Sequence, residues 1–118
     1  MLHGWQSSFR PVFFTTAVTE AEIRLGLELL PAGRRKQELE AVAQRIIALF
    51  DTRILPFESM ATQLFAQIVA GRRRLGLPIS DLDAQIAAIA RSREMALATR
   101  NVADFLGTGL NLIDPWNV

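Results

Sequence analysis

A chain of 118 residues, half of them hydrophobic, is one domain with enough apolar material for its own core. It has no cysteine, which excludes disulfides, thiolate zinc sites and a cysteine nucleophile, and its 13 basic against 12 acidic residues leave a net charge of +1, too small to argue for nucleic acid from bulk charge. No apolar run approaches the ~20 residues of a membrane span, and the opening MLHGWQSSFR lacks the order of a secretory signal, so the expected setting is the cytoplasm, with no membrane partner.

In chain order, Val12-Phe13-Phe14-Thr15-Thr16 is β-branched and aromatic and predicts a buried strand. Thr19-Glu20-Ala21-Glu22 fits a capping box and starts a helix that Leu30-Pro31-Ala32-Gly33 stops. From Arg34 to Phe50 a second helix places Leu39, Val42, Ala43, Ile46, Ile47 and Phe50 on one stripe, expected either in the core or on a dimer surface. Arg53 to Pro56 predicts a short strand, its proline favouring an edge or an end. A third helix, roughly Glu58 to Leu75, turns Ala61, Leu64, Phe65 and Ile68 inward and is broken by Gly76-Leu77-Pro78. Ser80 caps a fourth helix, rich in alanine and isoleucine. Met95 to Thr99 then predicts a strand, Asn101 to Phe105 a helical turn, and Leu110 to Ile113 a last strand. Strands alternating with helices imply an α/β domain with a mostly parallel sheet covered on both faces.

The acids carry the chemistry. At ~100° per residue, Glu22 falls on the apolar side of its helix, between Leu29 and Gly26, and Asp83 falls between Ala90 and Ala87 on the helix after Ser80. Each stands three residues after a Thr or Ser, so each also fits the second half of a capping box worth about 0.5–2 kcal/mol. Capping does not require an inward position, however, and an unpartnered inward carboxylate is costly unless it shares a cation. Asp104 follows the strand 95–99 and shares a turn with Asn101; it fits a loop cap or a third site acid. Ligands of open α/β sheets gather beyond the C-terminal ends of strands, where Glu22 and Asp104 are expected. Hard oxygen donors without cysteine favour Mg²⁺ or Mn²⁺ over zinc. His3, the lone histidine, lies near a terminus and reads as a bystander, which leaves metal-activated water attacking a phosphodiester as the expected chemistry.

The segments VTEAEIRLGLELLPAGRR, RILPFE, PISDLDAQIAAIA, ALATRNVADF and IDPW, in this order, resemble PIN-domain toxins of the VapC/FitB-like type over about Trp5 to Trp116. The resemblance implies a PIN-like three-layer α/β/α domain over 1–118 and a Mg²⁺- or Mn²⁺-dependent ribonuclease. Its implied partners are RNA and a small cognate antitoxin, and a homodimer is expected. By position it implies Glu22, Asp83 and Asp104 as catalytic and metal-binding acids, Asn101 as a further ligand where relatives carry Asp, and Thr99 as a water- or phosphate-positioning hydroxyl. Relatives open with an apolar strand ending Asp-Thr-Asn and a following helix, and Trp5 matches a tryptophan after that helix. The chain therefore reads as N-terminally shortened by one βα unit of about 20–30 residues. Either the assigned start lies too far downstream or the gene is a shortened relic.

Two basic runs, Arg34-Arg35-Lys36 and Arg72-Arg73-Arg74, fit a solvated helix face and a helix C-terminus, where cations suit the dipole. In a ribonuclease, Arg72, Arg73 and Arg74 become contacts to RNA phosphate or to an antitoxin. Three functions are thus expected to compete: a metal-dependent endoribonuclease toxin, a shortened PIN-like module that only binds an antitoxin or dimer partner, and a structural domain with well-capped helices.

Overall fold

A computed structural model describes residues 13–115. Strand β1 (Thr15–Thr16) runs directly into helix α1 (Ala17–Glu28), whose N-cap is Thr16: its Oγ1 accepts the Thr19 N–H at 3.0 Å. The helix therefore begins two residues before Thr19, and the expected Thr19–Glu22 capping box gives way to a cap one turn earlier. The strand expected over 12–16 is correspondingly short, and Val12 lies outside the described residues. On the wet face of α1, Arg24 pairs with Glu20 one turn back at 2.7 Å.

Helix α2 (Arg34–Phe50) has the expected bounds. It starts after Gly33, whose φ of 148° with extended ψ is a conformation glycine alone adopts readily. Its apolar stripe departs from the core expectation: none of its 17 residues is buried, and Leu49 is 72% exposed. The C-terminal part of the facing helix is bare too, with its C-cap Leu29 76% exposed and open space around the position a Cβ of Gly26 would take. A periodic stripe specifies that a face is to be covered, not what covers it.

After a 3-10 turn over Asp51–Arg53, strand β2 (Ile54–Leu55) pairs with β1 in parallel, Thr15 opposite Ile54 and Thr16 opposite Leu55. Helix α3 (Ser59–Arg74) ends in a Schellman motif: Gly76 N–H reaches the Arg73 carbonyl and Leu77 N–H the Arg72 carbonyl, each at 3.0 Å, with Gly76 at φ 72°. Helix α4 (Asp81–Ser92) is capped as expected, Ser80 Oγ accepting the Asp83 N–H at 3.1 Å. Strands β3 (Leu97–Ala98) and β4 (Leu112–Ile113) form a second parallel pair, separated by a 3-10 turn over Val102–Phe105.

The main core lies between α3 and α4. Ala84, Ala87 and Ala88 are completely buried against Ala61 and Ile68, because alanine lets two helix backbones approach closely while isoleucine fills the remaining gap. Phe57 and Phe65 pack edge to face beside them, centroids 5.8 Å apart. A smaller cluster, Val18, Leu55 and Ile89, joins α1, β2 and α4. The fold is a mostly helical α/β architecture with short parallel strands. The mostly parallel strands expected from the sequence are present, as two two-stranded parallel sheets, β1–β2 and β3–β4. Among the described residues, no helix is long and apolar enough to cross a membrane.

Candidate active site beyond the strand ends

The element after β1 is helix α1 and the element after β3 is the 102–105 turn, so Glu22 and Asp104 both follow the C-terminal end of a strand. Helix α4, which carries Asp83 in its first turn, packs against both α1 and the 102–105 turn. Chain topology thus puts α4 in contact with each of the other two acid-bearing elements. The side chains behave differently from expectation. Glu22 and Asp104 are exposed and Asp83 is half-buried, so the inward position expected for Glu22 is not realised. The face on which Glu22 lies is the uncovered face of α1, and an acid on an open face needs no partner.

Asn101 is exposed, and its N–H donates to Thr99 Oγ1 at 3.0 Å, a local turn that occupies the Thr99 hydroxyl as an acceptor. Glu22, Asp83, Asp104 and Asn101 supply the hard oxygen chemistry that Mg²⁺ or Mn²⁺ takes. They are not gathered into one group: among the described residues no three Asp, Glu, His or Cys side chains stand together so as to hold a metal.

The three arginines ending α3 separate into two roles. Arg73 and Arg74 are exposed. Arg72 is 5% exposed and its guanidinium is spent on backbone carbonyls: Nε donates to Leu77 O at 2.6 Å and Nη1 to Leu106 O at 2.5 Å, with longer contacts to Ala103 and Pro78. The expected contact from Arg72 to RNA or antitoxin is therefore corrected to an internal tie between the end of α3 and the turn that carries Asp104. Charge runs give no sequence signal for this, because the acceptors lie 31 and 34 residues away.

Between the two small sheets lies an open cleft of about 460 Å³, with Phe14 and the β1 residues Thr15 and Thr16 on one wall and Ala96 and the β3 residues Leu97 and Ala98 on the other; Ile86 of α4 also lines it. Thr19 closes one part of it and shares a 3.0 Å hydroxyl contact with Thr16. Sequence reasoning missed this Thr16–Thr19 pair, although the spacing of three residues before a helical run is the signal of an N-cap.

The family model of the PIN domain matches residues 3–105. Toxin FitB of Neisseria gonorrhoeae is 36% identical over 105 residues, 88% of this chain and 76% of FitB. VapC ribonuclease Y4jK of Sinorhizobium fredii is 33% identical over 104 residues, 87% of this chain and 74% of that protein. The crystal structure of FitAcB from Neisseria gonorrhoeae superposes with a TM-score of 0.83 at 34% identity, over 99% of this chain and 86% of that one.

Proposed function

The chain belongs to the PIN-domain family, and on that premise we propose that it is the ribonuclease toxin of a type II toxin–antitoxin pair, acting in the cytoplasm on RNA phosphodiesters with Mg²⁺ or Mn²⁺. The observation that carries this reading is the agreement with FitAcB over 99% of the chain at 34% identity. Glu22, Asp83 and Asp104 are the proposed acids, with Asn101 as a further proposed oxygen ligand and Thr99 as the proposed water- or phosphate-positioning hydroxyl. A small antitoxin is the proposed regulator, and the bare stripe of α2 offers surface for it or for a homodimer.

The test compares the 118-residue chain with the same chain joined to the upstream βα unit of a relative, each incubated with RNA and Mn²⁺ or with EDTA. Mn²⁺-dependent cleavage that is abolished in Asp83→Asn supports the enzyme; no cleavage by either protein removes it. The ungathered acids favour a second reading, a PIN-like module that binds an antitoxin or a second copy without cutting. Cleavage by the 118-residue chain, absent in Asp83→Asn, would eliminate that alternative.

Arg73 and Arg74 are the proposed phosphate contacts. Their joint replacement by alanine should flatten the dependence of log K for RNA on log salt concentration by about one for each phosphate that is no longer neutralised. A slope equal to that of the parent protein, measured by filter binding across a salt series, assigns the two arginines to another partner or to solvent.

A further inference from the structure

We propose that the pocket at the N-terminal ends of β3 and β4 binds an apolar α-amino acid as its zwitterion, with the carboxylate on Arg91 and the ammonium on Glu94. The pocket residues precede both strands in the chain, whereas Asp104 follows β3. The inference goes beyond the ribonuclease reading and does not depend on it.

The first sign is the residue that closes α4. Met95 N–H reaches the Ala90 carbonyl at 2.9 Å and Glu94 N–H the Arg91 carbonyl at 3.1 Å, a Schellman motif with Glu94 at φ 56°. Helix α3 ends in the same motif with Gly76 in the left-handed position, where no Cβ has to be accommodated. A glutamate there crowds its Cβ against the following carbonyl, so glycine would serve the helix end better. Among the described residues its carboxylate forms no salt bridge that would offset this strain. Its side chain is exposed and lines a pocket of about 300 Å³.

Arg91 lines the same pocket and is held in place. Its Nη1 donates to the carbonyl of buried Thr108 at 3.2 Å, and Gly109 lies so close that a Cβ there would stand 3.2 Å from Cζ. The guanidinium thus packs against backbone that has no side chain to cover it, and one carbonyl bond leaves most of its donors unused. Arg91 and Glu94 are three residues apart, a spacing at which a continuing helix would pair them. The left-handed turn takes Glu94 off the helical surface, and the two opposite charges stand unbridged in one pocket. That arrangement is complementary to a ligand carrying both charges a short distance apart, and each charge repels a ligand that carries only its like. The guanidinium fork suits a carboxylate, and Asn111 adds an amide donor and acceptor. Met95, Ala96 and Leu110 supply apolar surface for the ligand's side chain. Inorganic phosphate would satisfy Arg91 but would bring its own negative charge toward Glu94.

The probe is L-leucine, titrated into the 118-residue chain and followed by amide chemical shifts. Saturable one-to-one binding is expected, with shifts at Ala96, Gly109 and Asn111 and none along α2. N-acetylleucine, which lacks the ammonium, and leucinamide, which lacks the carboxylate, should each bind at least about tenfold more weakly. Two variants separate the ligand role from the fold. Glu94→Gly relieves the left-handed turn, so its melting midpoint should equal or exceed the parent's while its affinity for leucine falls at least about tenfold. Glu94→Gln keeps the shape of the side chain, loses its charge and should lose affinity to the same extent. Absence of leucine binding, shifts confined to other parts of the chain, equal binding of either one-charge analogue, or tighter binding of inorganic phosphate overturns the proposal. Undiminished affinity in Glu94→Gln overturns it as well. So does a lower melting midpoint for Glu94→Gly, because the glutamate then serves the fold.

Discussion

Replacing Arg72 by alanine is expected to lower the unfolding free energy by about 3 kcal/mol, because hydrogen bonds to a charged group contribute about 1.5–3 kcal/mol each and several disappear together. The guanidinium is buried and donates to Leu77 O and Leu106 O as its two short contacts, so its removal takes the side-chain donor from both carbonyls. Lysine should recover little, since a single ammonium cannot span acceptors on two sides as the planar fork does. Urea melts of the parent, Arg72→Ala and Arg72→Lys proteins measure this directly. A decrease below about 1 kcal/mol for alanine would show that the tie is not holding the fold. The functional consequence follows from chain connectivity: the tie anchors the 103–106 segment that bears Asp104. Loosening it should raise the hydrogen-exchange rate of the Asp104 and Leu106 amides before global unfolding.

Ile89→Ala is expected to cost about 3 kcal/mol, within the range of about 2–5 kcal/mol for truncating a buried isoleucine, and Ile89→Val about 1 kcal/mol. Ile89 is 1% exposed and is one of the two largest fully buried side chains among the described residues. It joins Val18 and Leu55 into the cluster that ties α4 to the β1–β2 side of the molecule. That cluster is small and has the open cleft beside it, so neighbouring side chains have few packed atoms with which to close the vacancy. Denaturant melts of both variants test the point. Equal midpoints for Ile89→Ala and the parent would mean that α4 is held by the alanine-rich packing against α3 alone.

The helices were legible because their signals are local. Periodicity located α2 over its whole length, Gly76 marked the end of α3, and Ser80 capped α4 as expected. The one misplaced helix start, at Thr19 rather than Thr16, arose because two threonines three residues apart both satisfy capping chemistry and only the approach of β1 selects between them. Strands were less legible: Phe13 and Phe14 favour extended chain, but a ladder residue needs a bonded neighbour, and the two-residue strands reflect the length over which one exists.

From the sequence alone come the α/β class, the helix stripes and the Ser80 cap, since each depends on residue type and spacing within a few turns. The tertiary structure alone decided that Glu22 is exposed, that Arg72 is an internal tie, and that the strands form two sheets with a cleft between them. Those outcomes depend on which distant segments come together, and side-chain periodicity carries no record of what stands on the other side of a face or an edge.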